Sequence, residues 1–247
     1  MKRLLFILSA VLICATTLLA SDATANFSSA NQLYDEGKFS QAAKSYETML
    51  NAGVVSPNLL FNTGNAEIKS GNLGRAIAAY RRAELLAPRD VDVRANLNFA
   101  RNQVQGGAFS GSHWDAMLGA LTLNEWTVLA AMAFWLTFGL FAAMQIRPAL
   151  KNILQGPARG LAVLTVLLCL CLGVAANTHF SKQIAVVVSP DAVTRSGPFS
   201  DAQNAFAVHD GAELAVLDRR NNWVQVADNS GRSGWIQDGQ VEVLPAI

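Results

Sequence analysis

The chain is short of the residues that most often carry chemistry. Its 247 residues include three histidines, His113, His179 and His209, and these fall in three separate regions. There is no His-Glu-x-x-His, no phosphate-cradling glycine loop, no nucleophile elbow, and no pair of carboxylates placed for acid–base work. Of the three cysteines, Cys14 follows Ile13, where a lipidation signal needs a small residue. Cys169 and Cys171 point about 200° apart on a helix, so they neither close a disulfide nor share a metal. Charge is scarce as well, at 15% of residues with a formal net charge of +1, and no basic stripe alternates with aromatics. Nucleic acid is therefore excluded as an expected partner. These absences predict a protein with no catalytic site, cofactor or metal.

Apolar sequence fills the chain instead. Hydrophobic residues make up 51%, and the excess sits in runs near 4–20, 126–146 and 161–176. The first run follows Lys2 and Arg3 and leads to Ala23-Thr24-Ala25, the pattern of a signal peptide over 1–25 with cleavage before Asn26. An uncleaved anchor helix is the alternative. The second run, Trp126 to Ile146, has 21 uncharged residues, or about 31 Å of helix. Asn124 is its candidate cap, and Trp126 sits at interface level. The third run is 16 residues long and reaches spanning length when extended from Gly160 to Phe180.

The expected layout is a transmembrane helix over 124–146, a loop over 147–159 and a second transmembrane helix over 160–180. Arg147, Lys151 and Arg159 lie in that loop without an acidic residue, which places it in the cytoplasm and both flanking regions outside. Neither span carries an ionisable residue in its apolar core, which argues against transport.

Before the spans, Gly37, Ala42 and Tyr46 recur 34 residues later as Gly71, Ala76 and Tyr80. The second copy, Pro57 to Asp90, places small residues at Gly64, Ala76 and Ala83, an aromatic at Tyr80 and a closing proline at Pro88. Ser56 is a candidate cap with Pro57 at the first helical position, and Gly71 permits a tight turn. The first copy, 26–56, departs from this pattern at Met49 and Gly53. After Asp90, a further candidate cap, Val93, Leu97 and Ala100 or Arg101 follow helical spacing.

These residues resemble tetratricopeptide repeats, so 26–105 is expected to be an all-α solenoid of about two and a half repeats. The resemblance implies a concave, partner-binding wall formed by Asn31, Asn62, Asn65, Lys69 and Asn96. Asparagine both donates and accepts, which suits a peptide backbone; the alternative is that these residues cap turns or face water. Some relatives grip a C-terminal carboxylate with Lys and Arg, but the corresponding places here hold Phe27, Asp92 and Asn96, so no such clamp is expected.

A linker is expected over 106–123. From Ile184 the pattern becomes short strands: IAVVV, 206–208, 214–217, 223–226, 234–236 and 241–244, separated by Ser196-Gly197-Pro198, Asp210-Gly211, Asn221-Asn222 and Asp228–Gly231. Val187-Val188, 193–198, His209-Asp210-Gly211, 223–226 and above all Gly231-Arg232-Ser233-Gly234-Trp235-Ile236 resemble a bacterial SH3-like domain, expected over 184–247 as a small all-β barrel. In so small a barrel Trp223 is expected in the core, and Trp235 in either the core or a partner-binding groove.

The whole order resembles the BatE-type proteins of bacterial aerotolerance operons: signal peptide, repeats, membrane hairpin and SH3-like domain. That resemblance implies a non-enzymatic scaffold or adaptor at the inner membrane, its two modules in the periplasm. Its partners would be von Willebrand-domain subunits and an associated AAA-type ATPase. The alternative is an envelope sensor whose SH3-like domain recognises peptidoglycan.

Overall fold

The computed structural model describes residues 25–104, 117–181 and 183–244. The expected signal peptide, apart from its last residue, linker residues 106–116 and His113 lie outside them. Among the described residues the chain forms seven helices and a C-terminal antiparallel sheet, divided into two compact units. The N-terminal helices and C-terminal strands make one unit; the apolar segment between them makes the other.

The first unit begins with α1 (25–35), α2 (Phe39–Asn51), α3 (Pro57–Lys69), α4 (Leu73–Leu86) and α5 (Val91–Arg101). Local chemistry sets their ends. Ser56 Oγ accepts from the Leu59 N–H at 3.2 Å with Pro57 at the first position of α3. Asp90 Oδ1 accepts from the Asp92 and Val93 N–H groups at 2.9 and 3.1 Å to start α5. The α1–α2 and α3–α4 turns pass through Gly37 and Gly71 at φ +75° and +85°, a region that costs glycine least. Asn72 sits at the N-terminus of α4, but its Nδ2 donates to the buried Glu67 Oε2 at 2.6 Å. Burial raises the Glu67 carboxyl above its ordinary range, and the Asn72 bond opposes that rise.

The helix core is made of small and aromatic side chains together. Ala42, Ala76 and Ala83 are fully buried, and Tyr46 and Tyr80 are 1% exposed. A Cβ on Gly64 would run into the Tyr80 ring, so α3 and α4 approach closely only because that position has no side chain. On α5, Val93, Leu97 and Ala100 face inward, while Arg101 reaches away from the helices.

The strands are β1 (Ile184–Val187), β2 (Asp191–Arg195), β3 (Asn204–His209), β4 (Glu213–Arg220), β5 (Trp223–Ala227), β6 (Ser233–Gln237) and β7 (Val241–Val243). They form one antiparallel sheet in the order β3-β2-β6-β5-β4-β1-β7. Val208 on one edge strand and Val241 on the other share a core with Ala185, Leu214, Val226 and Ile236, so the sheet curls over a single interior. The sequence pattern missed β2. Its inward residues are Ala192 and Thr194 while Val193 faces out, which inverts the apolar alternation a strand normally shows.

The sheet docks on the helices. In β1, Ala185 and Val187 point into the sheet's own core, whereas Val186 joins Ile77, Tyr80, Leu97 and Ala100 of the helix core along with Leu244. A Cβ on Gly74 would overlap the Val187 carbonyl oxygen, which shows how closely α4 lies against β1. Glu213 completes the contact. Its side chain is 1% exposed and accepts from Arg101 Nε at 2.9 Å and Nη2 at 3.0 Å. Arg81 Nε lies 2.8 Å from the same carboxylate, although its N–H is not aligned for a hydrogen bond. Nothing in the motif-based reading anticipated this docking. Its one sequence trace is the unbroken apolar run at 185–188, which marks a strand covered on both faces.

The second unit is a pair of packed helices, α6 (Leu123–Ile146) and α7 (Lys151–Ser181). Both are long and apolar enough to cross a membrane, with mean hydropathies of 1.9 and 2.3 over their most apolar stretches. Ala130, Ala133, Ala158 and Thr165 line the seam, and the Thr137 and Thr165 hydroxyls meet at 3.0 Å. Phe134, Trp135, Phe138, Val166 and Leu170 face outward and are more than half exposed.

Two local expectations change. Thr122, not Asn124, caps α6: its Oγ1 accepts from the Glu125 N–H while Glu125 Oε2 accepts from the Thr122 N–H, a reciprocal capping box. The expected loop 147–159 is mostly helix, with a single 3-10 turn at Pro148–Leu150 before α7 starts at Lys151. Pro157 is accommodated inside α7, where it donates no backbone hydrogen bond.

Candidate functional site

The 34-residue period reappears as a repeated set of contacts. Tyr46 Oη donates to Asn31 Oδ1 at 2.6 Å, and Tyr80 Oη donates to Asn65 Oδ1 at 2.7 Å. Asn62 Nδ2 donates to the same Asn31 oxygen at 3.1 Å, and Asn96 Nδ2 to the Asn65 oxygen at 2.9 Å. Phe27 and Phe61 pack at a tilt against Tyr46 and Tyr80, with centroids 5.9 and 6.0 Å apart. All four asparagines are half-buried, and the ladder runs from α1 through α3 to α5.

This network fixes the amide orientations. With the Asn31 and Asn65 oxygens each accepting twice, their Nδ2 groups are left as donors, and the Asn62 and Asn96 oxygens are left as acceptors. Burial pushes the Tyr46 phenol up to about 12, aided by the nearby Asp35 charge, and raises Tyr80 as well. Both hydroxyls therefore remain donors at any physiological pH. Asn31, Tyr34, Asp35, Tyr46, Asn62 and Asn65 line one open groove of about 280 Å³. Of the expected wall, Lys69 is exposed one helical turn beyond Asn65, and Asn96 extends the ladder onto α5. The asparagines thus do more than face a groove, since they also tie the helices together. The resemblance to tetratricopeptide repeats pointed to them, but the tyrosine partners were hidden because Tyr46 and Tyr80 read as packing residues alone.

The barrel carries a second concavity, of about 630 Å³, lined by Phe199, Ser200, Asn222, Trp223, Gln237, Asp238 and Gly239. Trp223, expected in the core, is half-buried and forms part of this wall. Val224 and Val226 take the inward positions of β5, so alternation turns Trp223 outward. Trp235 is 7% exposed and lies under the Arg220 guanidinium, 5.4 Å from its ring centroid. Of the two tryptophans, Trp223 is the one that lines the concavity. Phe199, 57% exposed, was missed because it follows the Ser-Gly-Pro turn and belongs to no strand.

Residues 188–242 match the family model of the bacterial SH3 domain, which covers β2 through most of β7 and every residue of the barrel concavity. The C-terminal sheet is thus an SH3-like module of a kind that suggests binding to protein or peptidoglycan. No curated protein matches the chain.

Proposed function

We propose that this chain is a non-enzymatic adaptor of the bacterial inner membrane. A tetratricopeptide-type array and the SH3-like barrel form one extracytoplasmic unit, held to the membrane by the α6–α7 hairpin. The asparagine–tyrosine ladder carries this reading: at the 34-residue period it leaves one amide donor and one amide acceptor along an open groove, the two groups a peptide main chain needs. The docked array and barrel support the topology. The array precedes the hairpin and the barrel follows it, so surfaces that touch require an even number of crossings between them. Arg147, Lys151 and Arg159 favour a cytoplasmic turn. Resemblance to the BatE-type proteins makes von Willebrand-domain subunits and an AAA-type ATPase the partners to look for.

The test uses Asn62→Ala with Asn96→Ala in the full chain. The substitutions remove one inter-helix amide bond per repeat but leave the Tyr46–Asn31 and Tyr80–Asn65 bonds in place, so the helices are expected to stay folded at a cost of about 1 kcal/mol per bond. Capture of partners from detergent-solubilised membranes should fall about tenfold, the effect of losing roughly one hydrogen bond per site. Undiminished capture would remove the groove from the account. A second reading, peptidoglycan recognition, is favoured by the Phe199–Trp223 concavity. In that case Trp223→Ala, and not the asparagine pair, would release the protein from isolated cell walls.

A further inference from the structure

The charges at the rim of the repeat groove are arranged with opposite sign in successive repeats. Asp35 lies four residues after Asn31 on α1, and Lys69 lies four residues after Asn65 on α3, so each stands on the same helix face as its asparagine. The two positions are 34 residues apart and hence equivalent in the repeat. On α1 the neighbouring Glu36 is already engaged, pairing with Lys38 at 2.8 Å. Asp35 and Lys69 are exposed and form no ion pair among the described residues. Asp35 itself lines the groove and acts on the Tyr46 phenol at its floor.

We infer that the groove takes an extended peptide segment carrying one basic and one acidic side chain about three residues apart, the base over Asp35 and the acid over Lys69. The spacing follows from geometry. Neighbouring helices stand about 8–10 Å apart, and an extended chain advances about 3.3 Å per residue. The ladder amides hold the main chain while the two rim charges select the side chains, so the inference rests on the groove being the binding surface. Selection by charge also sets a preference for segments that are neutral overall, in contrast to the acidic C-termini held by basic clamps.

The experiment selects phage-displayed random dodecapeptides on the full chain in detergent, at low salt, and sequences the bound clones. Wild-type protein should enrich opposite charges three residues apart by about threefold or more over the unselected library, the scale expected for exposed ion pairs. Asp35→Lys should shift the enrichment to two acids at that spacing, and Lys69→Glu should shift it to two bases. Enrichment that ignores both reversals, or no clone retained above background, would overturn the inference. Failure of the groove reading is separable, because the Asn62→Ala, Asn96→Ala chain would then retain the wild-type clones undiminished.

Discussion

Replacing Glu213 with alanine should cost the array–barrel unit about 3–5 kcal/mol of stability, the largest effect expected of any charged residue here. The carboxylate is 1% exposed, and the Arg81 and Arg101 side chains that meet it are 19% and 17% exposed. Removing it leaves the Arg101 guanidinium at a desolvated interface without its counter-ion, and Arg81 with Glu84 alone, at 3.0 Å. Partial access to water puts the cost toward the lower end of that range. Urea unfolding of the full chain in micelles, followed by tryptophan fluorescence, reads the effect. Arg101→Ala should then cost at least about 1 kcal/mol less in the Glu213→Ala background than in the wild type. Additive costs would mean that the barrel does not dock through this carboxylate.

Tyr80→Ala should destabilise the same unit by about 3–5 kcal/mol, because it empties a site buried among Gly64, Phe61 and the α4 core. Tyr80→Phe separates the two roles of the residue. It keeps the ring and removes only the bond to Asn65 Oδ1, so it should cost about 1 kcal/mol. In Tyr80→Phe the Asn65 amide is also freed to rotate, which should weaken peptide binding more than it weakens the fold. Equal destabilisation by the two substitutions would show that the hydroxyl, and not the ring, holds the helices together.

How much of this was legible in the sequence depended on whether the cause was local. Ser56, Asp90 and Gly71 act on their own few residues, and each helix start or turn they implied is present. The long apolar runs likewise declared α6 and α7, though not the helical stretch from Lys151 to Arg159, where Pro157 and a scatter of charge resembled a loop. β2 was illegible because its interior positions are Ala192 and Thr194. The groove asparagines were implied by the resemblance to tetratricopeptide repeats. That tyrosine hydroxyls fix which amide atoms they present is a tertiary fact, set by helices that meet across 15 residues of chain. Glu213, Arg81 and Arg101 look like ordinary surface charges until β4 is brought against α4 and α5. A similar limit applied to Trp223, whose outward position follows from the strand alternation set by Val224 and Val226.

The central claim is that array and barrel stand on one side of a membrane as a single docked unit, tethered by a hairpin whose turn lies on the other side. Cysteine labelling in intact spheroplasts tests it most directly. With Cys169 and Cys171 replaced by alanine, single cysteines are placed at the exposed positions Lys44 of the array, Leu217 of the barrel and Asn152 at the start of α7. A membrane-impermeant maleimide should label Lys44→Cys and Leu217→Cys, and should reach Asn152→Cys only after the membrane is permeabilised. Labelling of one outer position with protection of the other would place array and barrel on opposite sides and contradict the docked unit.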